Sequence, residues 1–206
     1  MFESLMRFAM IIALGASLTA HAADEAPDVL IKNVTNEVIE LIKTDKAIQA
    51  GDTKHIQDVV ETKILKYFDF NKMTGSAVGR EWRNATPDQK AQLSKEFQTL
   101  LVRSYSNALT QYKNQTVDVK PFKAAATDTE VTVKTEVKQP GGKPVAIDYD
   151  LTKAADGWKV FDIYVAGVSL VANYRDTFGQ EIKANGIDGL IKSLREKNAA
   201  KVVEKK

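Results

Sequence analysis

Residues Gly157 to Ala166 form a strand-like pattern that runs into Gly167-Val168-Ser169-Leu170-Val171 and then directly into a helical one. This matches the G-x-S-x-G nucleophile elbow except at its last glycine. A serine attacks only when a base is within reach, and hydrolases of this type take their histidine from later in the chain. The sequence has two histidines, His21 and His55, and neither follows Ser169. His55 stands among Lys54, Gln57 and Asp58 on the polar side of a helical pattern. Ser169 therefore reads as the cap of a helix, since serine is a favoured N-cap, and Gly167 as the turn into it.

Two other chemistries can be weighed. One of Asp148, Asp162 or Asp176, with Tyr105, Tyr149 or Tyr174 in an apolar pocket, would suit a small-pocket isomerase or dehydratase with a buried carboxylate base. That reading stays open as the alternative. A metal centre has less support: there is no cysteine, His55 is the one histidine outside the leader-like start, and Asp148-Tyr149-Asp150 reads as a strand's solvent face. No phosphate-binding glycine loop occurs, so no nucleotide cofactor is expected. No residue is assigned a catalytic or metal-binding role.

The elements that would position these residues begin after a leader. Arg7 precedes the apolar run Phe8–Leu18, and Ala20-His21-Ala22 supplies an A-x-A cleavage signal. The run is shorter than the roughly 20 residues that span a bilayer. Residues 1–22 are read as a secretory signal peptide, with Met6 an alternative start that would leave Glu3 outside the leader. The remainder suffices for one domain with a sizeable core, expected over 23–198, followed by a flexible tail over 199–206. The formal net charge of +2 is not that of a nucleic-acid binder. An exported chain without cysteine must hold its fold by burial alone.

Helical spacing places Val29, Ile31, Val34, Val38, Leu41 and Ile42 on one stripe, and Ile56, Val59, Val60, Ile64 and Phe68 on a second after Gly51. Residues 69–82 read as a short glycine-interrupted helical connection. Thr86, Pro87 and Gln89 start a long helix with the stripe Leu93, Phe97, Leu100, Leu101, Tyr105 and Leu109. Past Gln115 the period becomes two, with Val117 and Val119, then Val131 to Val137, then Val145 to Leu151, then Trp158 to Val165. The turn at Pro140-Gly141-Gly142-Lys143 and the Asp156-Gly157 pair join the last three. A helix from about Ser169 to Ala184 and another past Gly186 close the chain. The fold class is α+β: a four-stranded, mostly antiparallel sheet with helices packed around one face and an N-terminal helical lobe.

Residues 77–109, AVGREWRNATPDQKAQLSKEFQTLLVRSYSNAL, and 157–182, GWKVFDIYVAGVSLVANYRDTFGQEI, resemble the hallmark segments of the MlaC family. This is the toluene-tolerance family of periplasmic phospholipid-binding proteins, and the similarity runs from about Asp28 to Lys197. Val78 stands where leucine is more usual. The resemblance implies a non-enzymatic, monomeric periplasmic carrier with phospholipid as its ligand and no cofactor. It would shuttle lipid between an outer-membrane lipoprotein complex and an inner-membrane ABC transporter with a lipid-binding ring protein, maintaining outer-membrane lipid asymmetry. The acyl chains would lie in an apolar cavity between the sheet and the helices. Apolar faces nominate the lining: Trp82, Phe97, Leu101 and Tyr105 before the strands, and Val133, Val137, Ile147, Tyr149 and Val165 on them. Val168, Val171 and Tyr174 follow, with Arg175 as the head-group residue because a guanidinium pairs bidentately with phosphate.

Overall fold

Helix α1, Pro27–Thr44, starts with proline at a position whose N–H has no helical partner, and it buries Leu30, Ile31 and Ile42 while half-burying Val34 and Val38. It belongs to a computed structural model that describes residues 25–111, 114–139 and 141–200. The expected signal peptide lies outside the described residues, as does the expected tail from Lys201. Asp45 ends α1 in an extended conformation and accepts hydrogen bonds from the Ala47 and Ile48 amides, so one residue stops one helix and starts α2, Lys46–Gln49. Helix α3, Thr53–Val59, is capped by Asp52 and continues into a π-helical turn, Val60–Ile64, and a 3-10 turn, Leu65–Tyr67. The second helix read from the sequence is thus one apolar stripe carried through three helical geometries.

Helix α4, Phe70–Val78, leads through the 3-10 segment Gly79–Arg83 to α5, Pro87–Tyr105. The expected start of α5 is a full capping box: Gln89 N–H donates to Thr86 Oγ1 at 3.2 Å and the Thr86 amide to Gln89 Oε1 at 3.0 Å. Past Tyr105 the chain tightens into a 3-10 segment, Ser106–Gln111.

The sheet is an antiparallel meander in chain order: β1 Thr116–Val119, β2 Glu130–Lys138, β3 Val145–Ala154, β4 Gly157–Val165 and β5 Val168–Ser169. It has five strands rather than the expected four. Ala166 and Gly167 both take positive φ, 51° and 81°, the combination found in tight type I′ hairpin turns. The chain therefore reverses at once, and Val168 and Ser169 pair with Val165 and Tyr164. The last helix, α6, Ala172–Ala199, consequently begins three residues later than expected, and Gly186 at φ 72° divides it where the sequence predicted a break.

Three apolar cores hold these layers. Helices α4, α5 and α6 share the first, where Phe97, Tyr174 and Phe178 stand with ring centroids 5.0 to 5.5 Å apart. The second joins Leu30 and Ile31 of α1 to Val133, Leu151, Trp158 and Val160 of the sheet. The third joins Ile42, Ile48, Ile56 and Val59 across the α1–α3 lobe. Phe68 packs against the first and the second, and the main chain beside it is fixed by the Asp69 amide donating to Val160 O at 2.9 Å.

Candidate functional site

Strand alternation puts one set of residues from β2, β3 and β4 on the face toward α1, and register aligns them in rows. Val131, Leu151 and Val160 form one row; Val133, Tyr149 and Ile163 the next; Thr135, Ile147 and Val165 the third; Val137 and Val145 the last. A bulge at Phe161, between the Asp150–Asp162 and Leu151–Val160 pairs, preserves this facing across β4.

Burial changes along the rows. Leu151 and Val160 are closed under α1, and Val133 is fully buried, whereas Tyr149, Ile163, Ile147, Val137 and Val145 keep accessible surface. Val165 is 46% exposed and its hairpin neighbour Val168 55%. The apolar face is thus most exposed at the β4–β5 turn, while Thr135 in the third row stays buried and Val131 in the first keeps some surface. Tyr149 sits deep enough that burial pushes its phenol up to about 12, yet its side chain is only partly covered. Around the same face pack Val34 of α1, Tyr67, Val119 and Phe122.

The structure divides the twelve lining residues and the head-group residue expected from the sequence. Val133, Val137, Ile147, Tyr149 and Val165 share the sheet face, with Val168 just past its open end. Phe97, Leu101 and Val171 are closed within the α4–α5–α6 core, and Tyr174 packs edge-on against Phe97 there. Burial, then the charge of the neighbouring Tyr105 phenol and its hydrogen bond, pushes the Tyr174 phenol to about 12, and Tyr105 itself is 46% exposed. Trp82 lies over Gly75, where a Cβ would come within 3.0 Å of the indole nitrogen. The Arg175 guanidinium donates through Nε and Nη2 to Ser76 O at 3.2 and 3.0 Å. It faces the helices rather than the sheet rows.

Tyr67, Phe122 and Ile163 are among the face residues that the sequence reading did not nominate, as are Val131, Val145, Leu151 and Val160. Phe122 follows Pro121 outside any periodic segment, so no pattern marked it. Ile163 was legible in the alternation of β4, and Tyr67 lies in the turn-broken end of the second helical stripe.

The elbow-like serine and the candidate base are also placed. Ser169 Oγ donates to Asp162 Oδ2 at 2.5 Å and accepts the Ala172 amide at 2.9 Å. Asp162 Oδ1 accepts the Ile163 and Val171 amides. Both groups are engaged by main-chain and side-chain partners that join β4 to α6. Asp162 belongs to the face opposite the apolar rows, together with Asp150. His55 is far from both in the chain and pairs with Asp45 at 2.7 Å. Among the described residues, no three His, Cys, Asp or Glu side chains converge as a metal site, and no helix is long and apolar enough to cross a membrane.

The family model described as MlaC protein matches residues 32–196. The chain is 25% identical over 186 residues to toluene tolerance protein ttg2D of Pseudomonas putida, covering 90% of this chain and 86% of that one. It is 21% identical over 184 residues to the intermembrane phospholipid transport system binding protein MlaC of Haemophilus influenzae, covering 88% and 86%. Its fold matches a phospholipid-binding protein from Ralstonia solanacearum, solved in complex with a phospholipid, at a TM-score of 0.78. The two are 40% identical, and the match covers 86% of this chain and 98% of the other.

Proposed function

The chain belongs to the MlaC family, and from that premise we propose that it binds and carries phospholipid, with the acyl chains against the apolar rows of the sheet. The observation that carries the reading is the 40% identical structure of the same fold that holds a phospholipid. The half-covered rows around Ile147, Tyr149 and Ile163 supply a physical counterpart. Each methylene moved from water into an apolar site gains about 0.8 kcal/mol, so a 16-carbon chain gains on the order of 12 kcal/mol. A carrier needs that gain to offset the loss of the bilayer. The accessible residues Val137, Ile147, Tyr149 and Ile163 line the tails in this reading, Val165, Val168 and Tyr105 stand near the exit, and Val133 backs the wall. Phe97, Leu101, Val171 and Tyr174 hold the helices that support it.

The wider role in this proposal rests on what membership of the family implies and on the expected leader. The mature chain, a single domain from Ala23, works in the periplasm as a monomer and passes lipid between an outer-membrane lipoprotein complex and the ring protein of an inner-membrane ABC transporter. It carries out no chemistry on its cargo. Ser169 and Asp162 serve as a structural joint between β4 and α6, and His55 pairs with Asp45 rather than with Ser169, which supports a carrier over a serine hydrolase.

Native mass spectrometry of the mature protein, purified from periplasm without detergent and followed by solvent extraction, tests this directly. A mass excess that extracts as phospholipid is expected. A bare polypeptide mass, unchanged after incubation with phospholipid vesicles, would overturn the carrier reading.

A further inference from the structure

A second recess, of about 880 Å³, lies between the 3-10 segment Gly79–Arg83 and the first half of α6. Its apolar floor is Val78 and Ile182, and Arg80, Arg83, Arg175 and Lys183 surround it. Arg80, Arg83 and Lys183 are exposed and, among the described residues, take part in no ion pair. Some cations elsewhere are paired, as in Lys72–Glu130, Lys138–Asp118 and Arg195–Glu96; what sets the recess apart is that several cations surround one depression. The single carboxylate of the recess, Glu81, accepts from Asn84. A Cβ built on Gly79 or Gly179 would meet nothing within 4 Å, so the glycines leave the middle of the groove open.

The layout selects the kind of anion. Arg175, Gly179, Ile182 and Lys183 recur at helical spacing along one face of α6, and eight residues of helix extend about 12 Å. A lone phosphate would meet only part of that line. A bilayer surface is flat and would not reach the floor at Val78 and Ile182. Several carboxylates spread along a rod about 10 Å across, with apolar side chains on the same face, would reach both rim and floor. We propose that this groove docks an acidic amphipathic helix presented by a protein partner. The inference stands on the groove itself and does not depend on what the sheet face binds.

The probe is a synthetic helical peptide of about 14 residues, with leucines at three- and four-residue spacing flanked by glutamates, and its isosteric twin with every glutamate replaced by glutamine. Binding to the 15N-labelled mature protein is followed by amide chemical shifts and by fluorescence anisotropy. The glutamate peptide is expected to give saturable shifts centred on Gly79, Arg83, Gly179 and Lys183, with the glutamine twin about tenfold weaker or worse. The triple variant Arg80→Gln, Arg83→Gln, Lys183→Gln should weaken the glutamate peptide by a similar factor, and raising salt to about 0.5 M should do likewise. Gly179→Trp fills the groove without removing charge and should also abolish binding. Absent binding, equal binding of the twin, or shifts centred elsewhere would overturn the proposal. So would binding to phosphatidylglycerol vesicles that the triple variant loses while peptide binding persists, since the patch would then serve a membrane surface.

Discussion

Ser169 Oγ lies 2.5 Å from Asp162 Oδ2 and, through the Ala172 amide that it accepts, links the buried Asp162 of β4 to the start of α6. The serine that sits in an elbow-like sequence is a joint. Removing the hydroxyl by Ser169→Ala takes one donor from a buried carboxylate and is expected to cost about 1–2 kcal/mol. Asp162→Ala strands the hydroxyl and two amides together and should cost about 3 kcal/mol or more. Urea unfolding measures both, and co-purified phospholipid should be retained in Ser169→Ala. Loss of a measurable activity with fold and lipid intact would restore the nucleophile.

Ile147 shares a row with Thr135 and Val165 on the opening part of the apolar face. Ile147→Glu places a charge where acyl chains are proposed to lie, and burying an unpaired carboxylate against hydrocarbon is costly. The expected outcome is loss of extractable phospholipid with the far-UV circular dichroism unchanged. Full lipid occupancy in this variant would move the site off the sheet.

Tyr149 and Tyr174 both have phenols pushed to about 12, each chiefly by burial. Ultraviolet titration of the folded protein should leave Tyr149 and Tyr174 largely un-ionised at pH 11, with Tyr164 also shifted upward by burial and by Asp150 and Asp162, and Tyr149→Phe should reduce the un-ionised fraction. Ionisation of all the tyrosines near pH 10 with the fold intact would contradict the depth assigned to these rings.

His55 Nε2 pairs with Asp45 Oδ2. The hydrogen bond to Asp45 raises the histidine pKa, and the reciprocal bond lowers that of Asp45. A raised histidine pKa contributes stability that is fully present below the unfolded value of about 6.5 and disappears as pH rises through the higher folded value. The depressed Asp45 contributes stability above its unfolded value of about 3.9 and loses it as pH falls through the lower folded one. The stability difference between the wild type and His55→Gln should therefore be largest near pH 5–6 and shrink toward pH 8.5. A difference in urea midpoint that does not vary over that range would remove the pair as a pH-dependent tie.

Gly75 meets the Trp82 ring so closely that a Cβ would lie 3.0 Å from Nε1 and 3.1 Å from Cδ1. Gly75→Ala must displace the indole or the helix turn beneath it, at an expected cost of about 1–3 kcal/mol. Thermal unfolding and a shifted Trp82 emission, read in a Trp158→Phe background, check this.

Much of the fold was legible in the residues. The switch from three-and-four spacing to period two near Gln115 marks where helices give way to strands, because each geometry buries only the positions that its own repeat brings to one side. Thr86, Pro87 and Gln89 announce α5 because the capping box is local chemistry. Gly186 announces the break in α6 for the same reason. The alternation of β2, β3 and β4 likewise gave Val133, Val137, Ile147, Tyr149 and Val165 a common face.

Other features were settled only in three dimensions. A two-residue β5 has no period to detect; it exists because positive φ at Ala166 and Gly167 returns the chain against β4. The apolar stripe of α5 cannot tell from its own spacing whether it meets the sheet or another helix. Packing assigns Phe97 and Leu101 to the α4–α6 core and leaves the sheet face to α1. Arg175 reads as a phosphate ligand by type, yet its direction depends on a carbonyl ninety-nine residues away at Ser76. Local sequence determines which residues must be buried and where the chain must turn. Which buried surfaces meet, and whether they close fully or leave room, depends on contacts between segments distant in the chain.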